Sequence, residues 1–217
     1  MNFRNLKLDS FGKILIALGF SLTGFIVYSL TQTLAAKLFF LGLDLVGAVF
    51  GLAMAIWVIV PIVNNDIPCQ QTRSLKSWRF ILETIATSIA VRAIPLVVTA
   101  ILNLSTQVGA NQTAINHTMR SNQHGFYFTA ILVLALAPAF EEFIFRWLPG
   151  KLVGMQWWCL TFFGFMFTLM HSPTTPFLWL NYGVLALGLE IMAYRWGAKG
   201  SVITHFLFNA TAMITLL

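Results

Sequence analysis

The chain has few charged residues, since only 9% of its 217 residues are Asp, Glu, Lys or Arg. Soluble globular domains average about 25% charged residues, so this shortage excludes an ordinary water-soluble fold. Hydrophobic residues make up 58% of the chain, and the mean hydropathy is +0.80. In lipid every backbone polar group must be satisfied within the helices. We therefore predict an all-α, polytopic membrane helix bundle in which residues 1–217 form one integral membrane domain.

Cysteine and acidic residues are also scarce. The two cysteines, Cys69 and Cys159, have no metal-type spacing and cannot form a disulfide framework. Thirteen basic residues against seven acidic ones give a net charge of +6. Because the basic residues are scattered among the polar stretches, they indicate membrane topology and not nucleic-acid binding. The predicted partner is the lipid bilayer, with no nucleic acid, and the oligomeric state stays open.

Long apolar runs divide the chain into about seven predicted transmembrane helices, because one span needs about 20 mostly apolar residues. The predicted spans are 14–34, 38–63, 80–104, 126–148, 157–172, 177–195 and 200–217. The polar stretches between them, including residues 105–125, are predicted loops. Basic residues concentrate in alternate loops, and the positive-inside rule then places the N-terminus in the cytoplasm.

Three polar patterns interrupt the apolar runs near the C-terminus. They are Glu141-Glu142-x-x-x-Arg146, Phe167-x-x-x-His171 and His205-x-x-x-Asn209. Ionisable groups are costly inside lipid, so by default they are functional-site candidates. Carboxylates, imidazoles and an amide are also the groups that activate a water molecule for hydrolysis.

The first pattern assigns different roles to its two glutamates. Glu142 lies one helical turn from Arg146, and this i, i+4 pair would keep Glu142 charged. Glu141 points about 100° away around the helix, where its carboxylate suits a general base and acid. An ordinary ion pair where a helix reaches the membrane interface would give the same pattern, so this pattern alone leaves both interpretations open.

The two histidine patterns each have a structural and a functional interpretation. His171 either caps a backbone carbonyl before Pro173 or faces a catalytic cavity, and Phe167 on the same helix face either walls the imidazole or simply packs. His205 and Asn209 also share one face. They either form a polar seam between helices or point into the cavity as metal ligands or oxyanion donors.

The depth of these groups in the membrane depends on Pro149. If the helix that carries Glu141 continues past Pro149 to a turn near Gln156, Glu141 and His171 are equally far from that turn. They can then face each other across an antiparallel hairpin. If the helix ends at Pro149, the depths differ by roughly 10 Å and a re-entrant segment is required.

Arg92 is a further charge inside a predicted span. We predict that it pairs with a carboxylate such as Asp44 or Glu190 and has a structural role. Glu83 with Arg79 is predicted to be an ordinary i, i+4 ion pair.

The order of the three patterns resembles the CPBP family of intramembrane proteases, which is also described as the CAAX protease, bacteriocin-processing or Abi family. The resemblance covers roughly residues 125–217, the suspected catalytic core. It implies that Glu141 activates water with His171 beside it and that Glu142 contributes to the catalytic set. It also implies that His205 and Asn209 hold the oxyanion or a metal. The supporting residues are Arg146 and Phe167.

The resemblance leaves the cofactor open, because the family has been described both as metalloproteases and as metal-independent glutamate proteases. His171, His205 and Glu141 could form a zinc site with an open position. However, the chain has no His-Glu-x-x-His pattern on one helix.

The predicted function is that of a CAAX-protease-like endopeptidase that cleaves a peptide or protein substrate in a bacterial cell membrane. The resemblance suggests bacteriocin or peptide maturation, or self-immunity. The alternatives are a non-enzymatic immunity or binding protein and a small proton-coupled transporter. A transporter would usually show repeats or paired broken helices, and the sequence shows none.

Overall fold

The computed structural model describes residues 10–64, 67, 75–106, 110–121 and 123–214. All regular structure within these ranges is helical, which confirms the predicted all-α membrane bundle. The basic N-terminus, Cys69, most of the predicted loop between the second and third spans, and the last three residues of the seventh span lie outside the described residues.

Seven helices are present in the described part of the chain. Six of them are α1 (Ser10–Phe40), α2 (Asp44–Asn64), α3 (Trp78–Ile101), α4 (Ala110–Ser121), α6 (Trp157–Met170) and α7 (Pro176–Ile214). The remaining one, α5, joins Gln123–Ile131, Leu132–Leu136, Ala137–Glu142, Phe143–Trp147 and Leu148–Leu152 end to end. Five helices (α1, α2, α3, α5 and α7) are long and apolar enough to cross a membrane, and α6 is a shorter apolar helix.

Helix α7 is broken at Gly197 and contains two of the predicted spans. Gly197 has φ +77° and ψ 177°, a conformation that only glycine adopts at little cost. The Ser201 hydroxyl oxygen lies 3.0 Å from the Leu189 carbonyl oxygen, although a straight helix would separate these residues by about 18 Å. The chain therefore reverses here, and α7 consists of a first arm (176–196) and a second arm (198–214) that pack side by side.

Helix α4 corrects the prediction of a loop over 105–125. Its Met119 is buried, and Ile115 and Thr118 line a cavity described below. The helix is too polar and too short to register as a span, so hydropathy alone misses it. A smaller correction concerns the second predicted span, since α2 begins at Asp44 and not at residue 38.

Two π-helical turns, Leu132–Leu136 and Phe143–Trp147, divide α5. Each is followed, after one residue, by a proline: Pro138 and Pro149. Proline lacks an N–H and collides with the preceding turn of a regular helix. The wider π turn accommodates the ring, so α5 passes through both prolines without ending.

Each π turn leaves one carbonyl without a helical donor. Bonds in these turns run from the N–H of residue i+5 to the carbonyl of residue i, so the donors for Val133 and Ile144 would be the two prolines. Other helices supply the missing hydrogen bonds. The Asn209 amide donates to the Val133 carbonyl at 2.8 Å, and the Ser21 hydroxyl donates to the Ile144 carbonyl at 2.9 Å.

The continuation of α5 to Leu152 settles the depth of the first two patterns. A short turn over residues 153–156 leads directly into α6 at Trp157. The first of the two predicted arrangements is therefore correct: α5 and α6 form an antiparallel hairpin, and Glu141 and His171 lie at the same depth.

Helix α3 packs against both arms of α7. Phe80 contacts Trp196 with ring centroids 5.2 Å apart, and Glu83 accepts hydrogen bonds from Arg195 and Trp196. Gly188 lies so close to Val91 that an added Cβ would be 2.4 Å from a Val91 methyl group. The predicted Arg79–Glu83 pair is confirmed at 2.8 Å.

Candidate active site

Three elements bring one carboxylate and two imidazoles together. Glu141 comes from α5, His171 from the C-terminal end of α6, and His205 from the second arm of α7. Oε2 of Glu141 lies 3.9 Å from Nε2 of His171 and 3.7 Å from Nε2 of His205. Both distances exceed a direct hydrogen bond and are short enough for one water to bridge Glu141 Oε2 to an imidazole Nε2.

The second glutamate is buried in a network of its own. Glu142 is completely buried, and its Oε1 accepts from Arg146 Nη1 at 3.3 Å and from His205 Nδ1 at 2.8 Å. Its Oε2 accepts from the Ser201 hydroxyl. The carboxylates of Glu141 and Glu142 therefore face different surroundings, as predicted: Glu141 faces the cavity, and Glu142 anchors the groups around it.

The hydrogen bonds of the two histidines determine which nitrogen faces Glu141. Nδ1 of His171 lies 2.9 Å from the Phe167 carbonyl, which can only accept. Nδ1 of His205 donates in the same way to Glu142. In the neutral imidazoles both Nε2 atoms therefore carry a lone pair directed toward Glu141 Oε2. The helix-capping and the cavity-facing interpretations of His171 both hold, one for each ring nitrogen.

Phe167 forms the wall behind both histidines. Its ring centroid lies 4.5 Å from that of His171 and 6.0 Å from that of His205. The Arg146 guanidinium lies over the same ring at 4.6 Å. Phe167 is fully buried, so it excludes water from the back of the site and separates the cavity from the Arg146 charge.

Asn209 lines the cavity, but one of its two amide hydrogens is already used. Its Nδ2 donates to the Val133 carbonyl in the first π turn of α5. Only the second amide hydrogen can reach the cavity. The structure therefore brings Asn209 to the site predicted for it and adds a structural contact that the sequence did not indicate.

Two tyrosines that were not predicted from the sequence complete the site. The buried Tyr28 hydroxyl on α1 donates to Glu141 Oε1 at 3.1 Å, and Gln32 donates to the Tyr28 oxygen at 2.7 Å. Tyr182 packs against the His171 ring at 4.3 Å. A single tyrosine in an apolar run has no spacing that marks it, so only the assembled bundle identifies these residues.

Two cavities of about 320 Å³ each meet at this site. They share the side chains Tyr28, Gln32, Glu141, His171 and Tyr182. The first cavity continues past His205 and Asn209 to Arg92 and to α4. The second continues along Phe25 and Phe145 to Ser172 and Thr174 after α6. Glu141 and His171 thus lie where two chambers join.

Arg92 lies on the wall of the first cavity, and its predicted pairing with Glu190 is wrong. Its Nε donates to the Thr211 hydroxyl at 2.9 Å and its Nη2 to the Phe208 carbonyl at 2.5 Å. Glu190 is buried elsewhere, against Gly164. The other predicted partner, Asp44, has a side chain outside the described residues.

The side-chain positions bear on the predicted zinc site. The donors are chemically suitable, because two imidazole lone pairs and one carboxylate oxygen converge. Within the described ranges, however, no group of three or more His, Cys, Asp or Glu side chains has the arrangement that holds a metal ion. The residues as they are arranged here do not fit a zinc ion, and zinc binding stays a prediction.

A comparison with protein families bears on the identity of this segment. Residues 123–211 match the family model described as Rce1-like, "Type II CAAX prenyl endopeptidase Rce1-like". The match confirms the predicted resemblance to the CPBP family. It includes all three patterns, and it supports an intramembrane protease of the CAAX type in general. No curated protein and no solved structure matches the chain.

Proposed function

We propose that the chain is an intramembrane endopeptidase in which Glu141 activates a water molecule for attack on a peptide carbonyl. The observation that carries this proposal is the convergence of Glu141 Oε2 with two imidazole Nε2 atoms, at 3.7 and 3.9 Å, on the wall of a cavity. A water that donates one hydrogen to Glu141 Oε2 and the other to the lone pair of His171 Nε2 is oriented and can lose a proton to Glu141.

The reaction follows from these contacts. As the water oxygen bonds to the carbonyl carbon, its proton passes to Glu141 and a tetrahedral oxyanion forms. His171 supports the water through its Nε2 lone pair. Glu141 then returns the proton to the departing amine nitrogen, and the C–N bond breaks to give a carboxylic acid and an amine.

The oxyanion needs donors, and His205 is the first candidate. His205 Nε2 can donate to the oxyanion only when the imidazole carries both protons. The second amide hydrogen of Asn209 is the other donor. Glu142 and Arg146 act behind His205 as positioning residues and do not touch the reacting atoms.

The substrate we propose is a peptide or protein segment that enters the cavities from the membrane. We propose a bacterial cell membrane as the location, with the N-terminus in the cytoplasm by the positive-inside rule. Bacteriocin or peptide maturation, or self-immunity, is the proposed role. The CAAX-type match supports the protease, and the narrower role rests on the resemblance alone.

The test compares the purified wild type with Glu141→Gln on a panel of prenylated CAAX-type peptides and bacteriocin-leader peptides. General-base catalysis contributes about 10²–10⁴-fold, so Glu141→Gln should lose at least about 100-fold in kcat/KM. Glu83→Gln is the matched control, since Glu83 pairs with Arg79 and Arg195 away from the cavity lining. Equal cleavage by wild type and Glu141→Gln would refute the proposal.

A chelator arm tests the predicted zinc site in the same assay. Activity that survives chelation supports a glutamate-type mechanism without metal. Loss on chelation with rescue by zinc would support a metal-dependent mechanism instead. A protein that only binds peptides would keep its peptide affinity in Glu141→Gln and cleave nothing in any form.

A further inference from the structure

Tyr182 has a hydroxyl group with no hydrogen-bond partner among the residues that the structure describes. Its side chain is half-buried in the first arm of α7 and lines both cavities. A polar group inside a membrane bundle costs free energy unless it is hydrogen-bonded. The partner of this hydroxyl must therefore come from what fills the cavities, which is water or a substrate.

The Tyr182 ring fixes the region that this hydroxyl can reach. It packs on the His171 ring, with centroids 4.3 Å apart and an interplanar angle of 31°. His171 Nε2 in turn lies 3.9 Å from Glu141 Oε2. The hydroxyl is also within electrostatic range of the Glu141 carboxylate. A peptide carbonyl that is attacked by water at Glu141 and His171 therefore lies beside Tyr182.

Hydrogen-bond donors are scarce where the two cavities meet. Glu141 and the Nε2 atom of neutral His171 accept, and the Tyr28 hydroxyl already donates to Glu141. Gln32 donates to the Tyr28 oxygen, so it is linked to Glu141 through Tyr28. Tyr182 contacts His171 and keeps an uncommitted donor at this junction.

The two donors already proposed for the oxyanion are each restricted. His205 Nε2 donates only from the doubly protonated imidazole, and Asn209 has one amide hydrogen left after its bond to the Val133 carbonyl. A phenol hydroxyl carries its proton throughout the neutral pH range. Tyr182 can therefore donate in either protonation state of His205.

We propose that the Tyr182 hydroxyl donates a hydrogen bond to the oxyanion that forms when water attacks the peptide carbonyl. This inference rests on the proposed protease function and adds a catalytic residue to it. As the water oxygen bonds to the carbonyl carbon, the π electrons of the carbonyl move onto its oxygen, which accepts the hydrogen bond from Tyr182. The phenol proton stays on Tyr182, and the carbonyl forms again when the C–N bond breaks.

The first experiment measures kcat and KM of the wild type and of Tyr182→Phe with CAAX-type peptides. The variant keeps the ring that packs on His171 and removes only the hydroxyl. Loss of one oxyanion donor costs about 10²–10³-fold in kcat, so we expect at least about a 100-fold loss with little change in KM. Tyr194→Phe is the matched control and should keep the wild-type kcat, because Tyr194 packs on Trp157 and lines neither cavity.

A second measurement separates binding of the transition state from binding of the substrate. A phosphonate analogue of the same peptide carries a tetrahedral, anionic centre in place of the scissile carbonyl. Tyr182→Phe should bind this analogue about 100-fold more weakly than the wild type does. Binding of the unmodified peptide to Glu141→Gln should not change when Tyr182→Phe is added.

Four results would overturn the inference. Tyr182→Phe with the wild-type kcat, a change confined to KM, or an equal loss in Tyr194→Phe would each do so. A loss of kcat with unchanged affinity for the phosphonate would show that Tyr182 acts only by packing on His171.

The two proposals can fail separately. Cleavage that depends on Glu141 and not on Tyr182 would leave the protease standing and remove the role of Tyr182. A wild type that cleaves no peptide but binds the phosphonate through Tyr182 would retain the anion site and remove the protease. A wild type that neither cleaves the peptides nor binds the phosphonate would overturn both.

Discussion

The two carbonyls opposite the prolines of α5 allow a sharp test of how this bundle is held together. Ser21→Ala and Asn209→Ala each remove the one side-chain donor to Ile144 or Val133. Interhelical hydrogen bonds in membranes are worth about 0.6 kcal/mol on average and up to about 1.7 kcal/mol. A buried carbonyl left without any partner costs about 1–3 kcal/mol. We therefore expect each variant to lower the free energy of unfolding by about 1 kcal/mol.

The double variant tests whether the losses of these two hydrogen bonds affect stability independently. Val133 and Ile144 are separated by roughly 16 Å along α5, beyond the range where neighbouring mutations usually couple. The effects of Ser21→Ala and Asn209→Ala should therefore add to about 2 kcal/mol. The assay is equilibrium unfolding in mixed detergent micelles, followed by circular dichroism. Ser21→Thr, which keeps the hydroxyl, is the control.

Measurements of kcat/KM distinguish the Asn209 position from the Ser21 position. Asn209 lines the first cavity and Ser21 does not, so Asn209→Ala should lose at least about 10-fold more kcat/KM than Ser21→Ala at similar stability. If Ser21→Ala unfolds like the wild type, the account of the proline carbonyls is wrong. If both variants lose activity equally, Asn209 acts only through the fold.

Three further substitutions probe other parts of the structure. Glu142→Gln weakens the acceptor for the fully buried Arg146 guanidinium, so the free energy of unfolding should fall by about 3–5 kcal/mol in the same assay. A variant as stable as the wild type would contradict the stabilising role of the Glu142 hydrogen bonds. Tyr28→Phe removes the hydroxyl that donates to the proposed base and should lower kcat/KM about 10-fold with little change in stability. Gly164→Ala would place a Cβ 1.3 Å from Glu190 Oε1 and should cost about 1–3 kcal/mol. Gly183→Ala, with nothing within 4 Å, is its control and should cost less.

The sequence predicts the motif-bearing part of the site well because its patterns are local. Glu142 and Arg146 share a helix face, as do Phe167 and His171, and helical periodicity alone places them correctly. Glu141 and His171 are also equally far along the chain from the α5–α6 turn. This spacing places them at the same depth because α5 continues through Pro149. The helical class and the apolar segments follow from hydropathy in the same way.

The rest of the site depends on contacts between distant segments, and no spacing rule encodes these. Tyr28 reaches Glu141 across 113 positions of sequence and Ser21 reaches Ile144 across 123. The predicted carboxylate partner Glu190 of Arg92 is wrong because a cation inside lipid suggests a countercharge, whereas the fold supplies a backbone carbonyl and a hydroxyl. Pro138 and Pro149 are visible in the sequence, but the carbonyls that they leave without a donor are identified only once α5 is known to continue through both.

The Glu142–Arg146 pair has a consequence for how the chain enters the membrane during synthesis. His205 and Ser201, the other partners of Glu142, belong to the last helical segment and are made about sixty residues later. Until then, Arg146 one turn along α5 balances the charge of Glu142 within a single helix. This pair can therefore be delivered to lipid as a neutral unit before the rest of the bundle exists. His205 joins Glu141 and His171 only when the final segment arrives, so a half-made chain carries the proposed base without its complete surroundings.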